Sequence, residues 1–487
     1  MLTRAGDRAA SLAAAREAQR YFEQAAELGD DAVTCAELQF RAGRMAWRRG
    51  RGEEAEKLLG EAHATFERAG LGHRAARVSA RLADIDYRKG RIGEAVARLE
   101  RALETLPTED ADDYVGEVAA QLGRYLVLQG RTDAAMPHLE LALRVAEGLE
   151  SMELFAQALT SKSLTLMLES RFREAEILLQ AALTTAVDAD LPSTAARALN
   201  NLAVLYESCD RYEDAIATAD RGVEYLRRIG DRVQEQAVLA GTISTRVLVG
   251  RWDDAYAQLA EIYGPDLTAV GDLWEDLHVV AIACWRGRLD EAKEHIQRHS
   301  EDALAHTDSQ RRTSYILHAA LIARMEGDAS ASLEEIEREL PGALDELGIS
   351  FLNTKLMLVE GLEAAFELGD TAKVEELLAI IERHRPGERP PLLVAHAARF
   401  RAKLGVSPDE VERQFRRAVG IFQERELIMW LAVTQLEYAE WLMGQDRGSD
   451  ARPLLAEARA TFERLEATPW VQRAAARTTP ERTEVPA

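Results

Sequence analysis

The chain has 487 residues, a formal net charge of −23 and 6% aromatic residues. So acidic a surface argues against nucleic acid as a direct partner. The sequence has no run of about 18 apolar residues, so we expect no membrane span. It also has no apolar N-terminal segment of signal-peptide length, so we expect no secretion. Cys35, Cys209 and Cys284 are isolated from one another, a pattern typical of a reduced, cytoplasmic protein.

A short motif recurs six times at intervals of 40 residues. Each copy has a small residue or Asp, then Arg, then a short acidic stretch that ends in Ala. The six copies begin at Gly50, Gly90, Gly130, Ser170, Asp210 and Gly250. A fixed period of about 20 to 50 residues is typical of a solenoid, in which each unit buries its apolar face by stacking on its neighbours.

The residues around the motif predict two antiparallel helices joined by a tight turn. The position seven residues before each turn is small, except in the sixth repeat: it holds Gly43, Ala83, Gly123, Ser163, Ala203 and Ile243. A Leu usually follows the repeated Ala by four residues, which places both on one helix face. We expect this Leu to fill the space that the small residue leaves. The turn residue suits a left-handed helix cap. The repeated Arg is predicted to bridge the turn to acidic residues of the same or the next repeat.

The pattern continues with a changed phase after Ala255 and weakens toward the C-terminus. YGPDL (residues 263–267) marks the phase change, and RPGERPP (residues 385–391) predicts a longer loop. We therefore expect N-terminal capping helices in residues 1–35, six regular repeats in 36–263 and about five divergent repeats in 264–470. Residues 471–487 are polar and contain Pro, which predicts a disordered tail.

The segment Asn200–Ala219 resembles a tetratricopeptide repeat. Leu202, Ala203, Tyr206, Tyr212 and Ala215 occupy its consensus places, although Lys162 departs from the apolar residue expected beside Ser163. The resemblance implies an all-α, right-handed α-solenoid of about 11 helix pairs, built here on a 40-residue unit. This motif specifies a fold and a mode of binding, but not a ligand.

A second resemblance concerns the two ends of the chain. Residues 5–30 and 460–476 resemble the C-terminal repeat region of actinobacterial signalling ATPases, which include LuxR-type regulators and ATPase-linked adenylate cyclases. In those proteins the repeats follow a nucleotide-binding module. Lys162 is the one Lys followed by Ser or Thr, and no Gly-rich loop precedes it, so we expect no nucleotide site.

Few residues indicate chemistry. His295 and His299 lie four apart on a predicted helix, with His306 nearby, but EHIQRHS is more typical of a solvated helix end than of a metal site. Cys209 precedes Asp210, which disfavours a reactive thiolate. The cluster of Arg41, Arg44, Arg48, Arg49 and Arg51 fits a helix end with solvated faces, or a contact with an acidic peptide. We expect no catalytic activity, cofactor or metal.

The tetratricopeptide resemblance also implies a binding groove, lined by the first helix of each pair. The side chains at its inward positions mix Arg, amides and aromatic rings, types that anchor an extended peptide. They are Phe40, Arg44, Trp47, Arg77, Asp84, Tyr87, Glu117, Gln121, Arg124, Gln157, Thr160, Arg197, Asn200 and Asn201. A solvated inner face is the alternative interpretation.

Two functions follow from these patterns. The first is a non-catalytic scaffold that binds a protein or peptide of acidic character through repeats one to five, in bacterial signalling or transcriptional regulation, alone or in trans with an ATPase or regulator. The alternative is a ligand-sensing module split from a larger signalling ATPase, LuxR-type activator or adenylate cyclase. The sequence leaves the partner and the oligomeric state open.

Overall fold

The computed structural model describes residues 1–12, 14–106, 112–263, 277–299 and 309–478, and these ranges contain α-helices and no β-strand. The helices are α1 (Leu2–Ser11), α2 (Ala15–Glu27), α3 (Ala32–Arg48), α4 (Gly52–Arg68), α5 (Gly72–Arg88), α6 (Ile92–Glu104), α7 (Asp113–Leu128), α8 (Thr132–Gly148), α9 (Met152–Leu168), α10 (Phe172–Asp188), α11 (Pro192–Ser208), α12 (Tyr212–Ile229), α13 (Arg232–Gly241), α14 (Ile243–Leu248), α15 (Trp252–Tyr263), α16 (His278–Arg286), α17 (Leu289–Gln297), α18 (Ser309–Met325), α19 (Ala329–Glu346), α20 (Leu352–Glu367), α21 (Thr371–Glu382), α22 (Pro391–Leu404), α23 (Pro408–Glu424), α24 (Ile428–Gly444), α25 (Gly448–Arg464) and α26 (Thr468–Thr478). No helix among them is both long and apolar enough to cross a membrane.

Successive helices pack as antiparallel pairs, which confirms the predicted all-α solenoid. The pairs α3–α4, α7–α8, α9–α10 and α24–α25 have the most extensive contacts, and neighbouring pairs also pack together, as α4 does with α5 and α8 with α9. The sixth repeat is the exception at the small-residue position, where it has Ile243. Its first helix is interrupted at Thr242, between α13 and α14.

The turn residues of the six motifs adopt the left-handed conformation that the sequence predicts. Their φ angles are 75° at Gly50, 58° at Ser170 and 56° at Asp210, and the other three are glycines at 73° or 74°. The amide that follows each turn donates back into the helix end, as from Arg91 N to Asp86 O at 2.8 Å. This hydrogen bond satisfies a carbonyl that would otherwise lack a partner at the helix end.

Close helix contact explains the small residues. A Cβ built on Gly43 would lie 2.9 Å from Leu59 Cγ, and one built on Gly123 would lie 2.5 Å from Leu139 Cδ2. Both leucines are almost fully buried. The predicted fit of Leu against a small residue is therefore confirmed at these two positions, and it fixes how closely the paired helices approach.

The repeated arginines form ion pairs in the turns, and the predicted pairing within one repeat is found among them. Arg171 and Arg211 pair with acids in the first turn of their own second helix. Arg251, however, pairs with Glu213 of the preceding repeat at 2.5 Å, and not with an acid of the next repeat. The described contacts of these turns thus link each repeat to itself and backward along the chain.

The chain divides into two compact units. Unit 1 comprises residues 1–205 and 217–239, and unit 2 comprises residues 206–216 and 240–487. Unit 1 contains most of the first five regular repeats, preceded by α1 and α2, whose Ala9, Ala18 and Phe22 pack with Leu38 and Met45 of α3.

Unit 2 brings distant parts of the sequence into contact. Helix α26 packs against α16, and Arg286 Nε donates to Leu465 O at 3.2 Å. Arg288 lies 3.3 Å from Glu466. At the left-handed residue Gly250, a Cβ would overlap Ile428, so the turn that precedes α15 lies against the start of α24. The early and late repeats of unit 2 therefore pack against each other.

A buried carboxylate holds a second long-range contact in unit 2. Asp210 and Lys355 are both 0% exposed, and Lys355 Nζ donates to Asp210 Oδ1 at 2.5 Å. Tyr212 Oη donates to the same carboxylate at 2.7 Å, and the backbone N of Leu392 donates to Oδ2 at 2.7 Å. Asp210 thus satisfies an amide in the first turn of α22, which has no partner within its own helix.

Two other predictions concern the later half of the chain. Residues 385–390 of RPGERPP lie between α21 and α22, at the predicted loop, and Pro391 begins α22. Helix α26 extends to residue 478, so residues 471–478 of the predicted disordered tail are helical. Residues 264–267 of YGPDL, where the phase change was predicted, and residues 479–487 lie outside the described residues.

Candidate functional site

The predicted groove residues lie on the first helices of the five repeats of unit 1. Helix α3 carries the residues of the first repeat, and α5, α7, α9 and α11 carry those of the next four. The 40-residue period places equivalent residues one above another on successive helices, as with Arg77, Glu117 and Arg197. These helices supply one continuous set of polar side chains.

Eight of the fourteen predicted residues line a single cavity of about 200 Å³, which we term the arginine cavity. These eight are Arg44, Trp47, Asp84, Arg124, Gln157, Arg197, Asn200 and Asn201. The cavity is also lined by Arg48, Arg81, Glu153 and Asp231, which the sequence did not predict as groove residues. The sequence could have indicated Arg81 as a groove residue, because it lies one helical turn from Arg77 and from Asp84 on the same helix face.

The other predicted residues lie outside this cavity and support it. Phe40 and Thr160 are buried, and Thr160 Oγ1 donates to the backbone O of Ala156 at 2.7 Å. Arg77 pairs with Glu37 at 2.6 Å, and its guanidinium lies 4.2 Å from the centre of the Phe40 ring.

The remaining supporting residues lie on α5 and α7. The Tyr87 ring packs against Tyr125, with their centres 5.2 Å apart. Glu117 is half-buried, and burial raises the pKa of its carboxyl, with Glu153 adding to the effect while Arg81 opposes it. Gln121 is buried, and its side-chain amide donates to Asp84.

Asp84 organises one wall of the cavity. Its Oδ1 accepts hydrogen bonds from Gln121 Nε2 and from Tyr125 Oη, the latter at 2.6 Å. Arg81 lies 3.4 Å away and Arg124 lies 4.0 Å away. Burial alone would raise the pKa of Asp84, but Arg81, Arg124 and Arg197 outweigh it and lower that pKa. This carboxylate is therefore ionised at neutral pH and is committed to neighbours within the protein.

Arg44 and Arg197 carry charges that the described part of the chain does not pair. Neither guanidinium has a carboxylate within 4.0 Å among the described residues, and the same is true of Arg48. Removal from water and the nearby Arg81 lower the pKa of Arg44 to about 10. Removal from water and Arg124 lower the pKa of Arg197 to about 10 as well. Arg44 still has an accessible side-chain surface, because it lies in an open recess rather than in the core.

These environments make the cavity a site for negative charge. Both guanidinium groups remain protonated at neutral pH, since a pKa of about 10 is well above it. Mutual repulsion among the arginines destabilises their charged forms, and an anion between them would relieve it. Asn200, Asn201 and Gln157 add amide donors and acceptors to the same lining.

The surrounding arginine cluster divides between structural and cavity positions. Arg41 pairs with Asp7 at 2.7 Å, and Arg49 donates to Gln19 at 2.6 Å. Arg44 and Arg48 line the cavity. The cluster therefore divides between arginines held by internal contacts and arginines at the cavity, and the contact with an acidic peptide stays a prediction.

The histidine pair differs from its predicted environment. His295 and His299 are 5% and 3% exposed, so the prediction of a solvated helix end is wrong. The repeat buries this face of α17, which a local hydropathy pattern did not indicate. The described residues contain no group of three His, Cys, Asp or Glu side chains arranged to hold a metal ion, and His306 lies outside them.

Several solved structures resemble the chain in helical arrangement. A Rap protein complexed with competence and sporulation factor is 14% identical, with a TM-score of 0.46, covering 76% of this chain and 98% of its own. The apo form of the quorum sensor NprR from B. thuringiensis is 11% identical, with a TM-score of 0.36, covering 82% and 99%. The APC/C hetero-tetramer Cut9–Hcn1 is 12% identical, with a TM-score of 0.46, covering 97% and 96%.

Sequence comparison points to one family, over a limited part of the chain. No curated protein is detectably similar in sequence to it. Residues 34–108, which span α3 to α6 and contribute Arg44, Trp47, Arg81 and Asp84 to the arginine cavity, match the tetratricopeptide repeat.

Proposed function

We propose that the protein is a non-catalytic helical-repeat scaffold whose arginine cavity binds an acidic segment of a protein or peptide partner. The observation that carries this proposal is the pair of arginines, Arg44 and Arg197, that face one cavity without a carboxylate partner in the described residues. The net charge of −23 repels acidic chains in general, so a cationic cavity on such a protein selects for a partner that places its carboxylates there.

The chemistry of guanidinium supports an acidic ligand over a basic or apolar one. Arginine binds carboxylates through two parallel hydrogen bonds, which fix orientation as well as supply energy. The lining amides of Gln157, Asn200 and Asn201 suit the backbone of an extended peptide, which needs both donors and acceptors. Trp47, half-buried at the same cavity, provides an apolar contact.

The biological setting that we propose is bacterial signalling or transcriptional regulation in the cytoplasm, with an ATPase or regulator as the partner in trans. The resemblance of residues 5–30 and 460–476 to the repeat region of actinobacterial signalling ATPases supports it. No disulfide joins the three cysteines within the described residues, consistent with a reducing compartment.

A defined peptide tests the chemistry of the cavity. Fluorescence anisotropy would follow a labelled oligoglutamate peptide titrated with the full chain at low and at physiological salt. We expect saturable binding that weakens as salt rises. The double variant Arg44→Glu with Arg197→Glu should bind at least about tenfold more weakly, because each charge-assisted hydrogen bond contributes about 1.5 to 3 kcal/mol.

A matched control separates local from overall charge. Arg144 and Arg221 are exposed on second helices of unit 1, and neither lines the cavity. The double variant Arg144→Glu with Arg221→Glu changes the net charge equally and should retain binding within about twofold. Equal losses in the two double variants, or tighter binding of an oligolysine peptide, would refute the proposal.

A further inference from the structure

Unit 2 contains a second cavity, unlike the first in its lining. It has a volume of about 670 Å³ and is lined by four of the seven tryptophans of the chain, Trp285, Trp430, Trp441 and Trp470. Phe366 and Phe415 complete its aromatic surface. We term it the aromatic cavity.

Contact between distant helices builds this cavity. Helix α16 contributes Trp285 and α26 contributes Pro469, Trp470 and Arg473, although almost 200 residues separate them in sequence. The hydrogen bond from Arg286 to Leu465 O, together with the ion pairs of Glu466, holds the two ends in place. Helices α18, α20, α22, α23 and α24 supply the walls between them.

The charged side chains in the wall neutralise one another. Arg399 forms two parallel hydrogen bonds with Glu437, at 2.6 and 2.7 Å, and Lys403 donates to the same carboxylate at 3.0 Å. Arg324 pairs with Glu367 at 2.8 Å. Likewise, Arg473 pairs with Glu440 at 2.6 Å. The cavity lining holds four basic and four acidic residues, and the pairing leaves no net charge to select an ionic ligand.

Cationic side chains of the protein already lie over several aromatic rings of the lining. Lys403 Nζ lies 4.0 Å from the centre of the Phe366 ring, and Arg399 lies 5.5 Å from Trp430. Arg473 lies 5.5 Å from the ring of Trp470. A cationic ligand would have to compete with these groups for the rings, which disfavours cation–π recognition of an external ammonium.

Two polar groups of the lining have no partner among the described residues. The indole N–H groups of Trp430 and Trp470 are buried, and neither has a hydrogen-bond acceptor there. A buried donor without an acceptor destabilises the fold, because it has lost its hydrogen bond to water and gained none in return. A ligand that offers an acceptor near these rings would recover part of that cost.

We propose that the aromatic cavity binds a neutral, planar aromatic small molecule that carries a carbonyl or ether oxygen. The volume falls in the range of cavities that hold small ligands, about 300 to 1,000 Å³. Aromatic walls favour stacking with a flat ring system. Their balanced charges favour a neutral ligand, and the two indole donors favour an oxygen acceptor.

The test uses 2-acetylnaphthalene, which has a planar ring system and one carbonyl, with the full chain. Isothermal titration calorimetry and tryptophan emission should both show saturable binding. Trp441→Ala removes a wall ring, and Met325→Trp fills part of the cavity; each should weaken binding at least about tenfold. Since Trp441→Ala could also unfold the unit, Met325→Trp provides an independent reading, with circular dichroism and Tm recorded for both.

Controls address specificity and ligand charge. Tyr315 is half-buried in the same unit and does not line the cavity, so Tyr315→Ala should bind 2-acetylnaphthalene as the native chain does. The anion 2-naphthoate and the cation 2-naphthylmethylammonium should bind at least about tenfold more weakly than the neutral probe. Absence of saturable binding, unchanged affinity in folded Met325→Trp, or tighter binding of either ion would overturn the proposal.

Discussion

The two units place opposite chemistry in their cavities. In unit 1, Arg44 and Arg197 face a polar cavity with no carboxylate partner among the described residues. In unit 2, Arg399 is 1% exposed and is bound by Glu363 and Glu437. The same residue type thus lines a cavity without an ionic partner among the described residues in one unit and is committed to internal ion pairs in the other.

The contrast follows from how each unit is built. The described contacts of unit 1 join each helix pair mainly to its neighbours, so charged residues on the first helices stay accessible. In unit 2 the early and late repeats pack together, which buries the same face and requires its charges to be paired. Burial therefore decides whether an arginine must be paired within the fold or can stay without an internal partner.

The largest effect should come from breaking the buried pair in unit 2. Glu437→Ala leaves Arg399 without its bidentate partner and should lower the free energy of unfolding by about 3 to 5 kcal/mol. Glu424→Ala removes an exposed partner of Arg425 and should change it by less than about 0.5 kcal/mol. Tryptophan emission during urea unfolding reports the result, because Trp47 alone among the tryptophans of the described residues lies outside unit 2. Equal losses of unfolding free energy in Glu437→Ala and Glu424→Ala would show that burial does not determine how much an ion pair contributes to stability.

A smaller effect should follow from overpacking the helix interface of unit 1. Ala135 is 0% exposed beside Leu139, and Ala135→Trp should destabilise by about 1 to 3 kcal/mol or more. Glu147 is exposed on the same helix, so Glu147→Trp should have little effect. Thermal unfolding followed by far-UV circular dichroism compares the two. Similar losses would mean that the repeat phase is misassigned.

The stability of unit 2 should depend on pH through buried histidines. His396 is fully buried against Phe422 and Trp430, and burial followed by the nearby Arg399 lowers its pKa well below the ordinary value. The unfolded chain binds a proton below about pH 6.5, while the folded chain does not. Stability is therefore fully present above that pH and falls as the pH drops toward the folded pKa, by up to about 1.4 kcal/mol per pH unit.

His396→Phe tests this dependence. The variant has no imidazole at this position to take up a proton on unfolding. Between pH 7.5 and pH 5.5, its free energy of unfolding should therefore fall by about 1 kcal/mol less than that of the native chain. Urea unfolding at the two pH values measures the difference. If acid lowers the free energy of unfolding equally in the variant and in the native chain, His396 does not contribute to the pH dependence.

The smallest change in stability should come from the arginine cavity. Arg44→Ala with Arg197→Ala removes charges that have no carboxylate partner in the described residues, so the free energy of unfolding should change by less than about 0.5 kcal/mol per site. The same variant should lose oligoglutamate binding. A loss of more than about 2 kcal/mol in unfolding experiments would show that these arginines support the fold, as Arg399 does.

Sequence alone predicted the repeating unit and part of the candidate site. The 40-residue period, the left-handed turns and the fit of Leu59 against Gly43 follow from local spacing and side-chain volume, which the chain repeats visibly. The same period placed eight predicted residues at one cavity, because equivalent positions on successive helices share a face. Phe40, Gln121 and Thr160 lie on that face too, but only packing revealed that they are buried.

Tertiary structure decided what the late repeats do. The sequence identified Asp210 as a turn residue, but its bonds to Lys355 and Leu392 span 145 and 182 residues. The aromatic cavity likewise needs Trp285 and Trp470 to meet across unit 2. Local patterns fix each helix pair, whereas contacts between distant pairs depend on small rotations that accumulate from repeat to repeat. No single motif encodes that sum, so the sequence determined the unit and the fold determined which of its faces became enclosed.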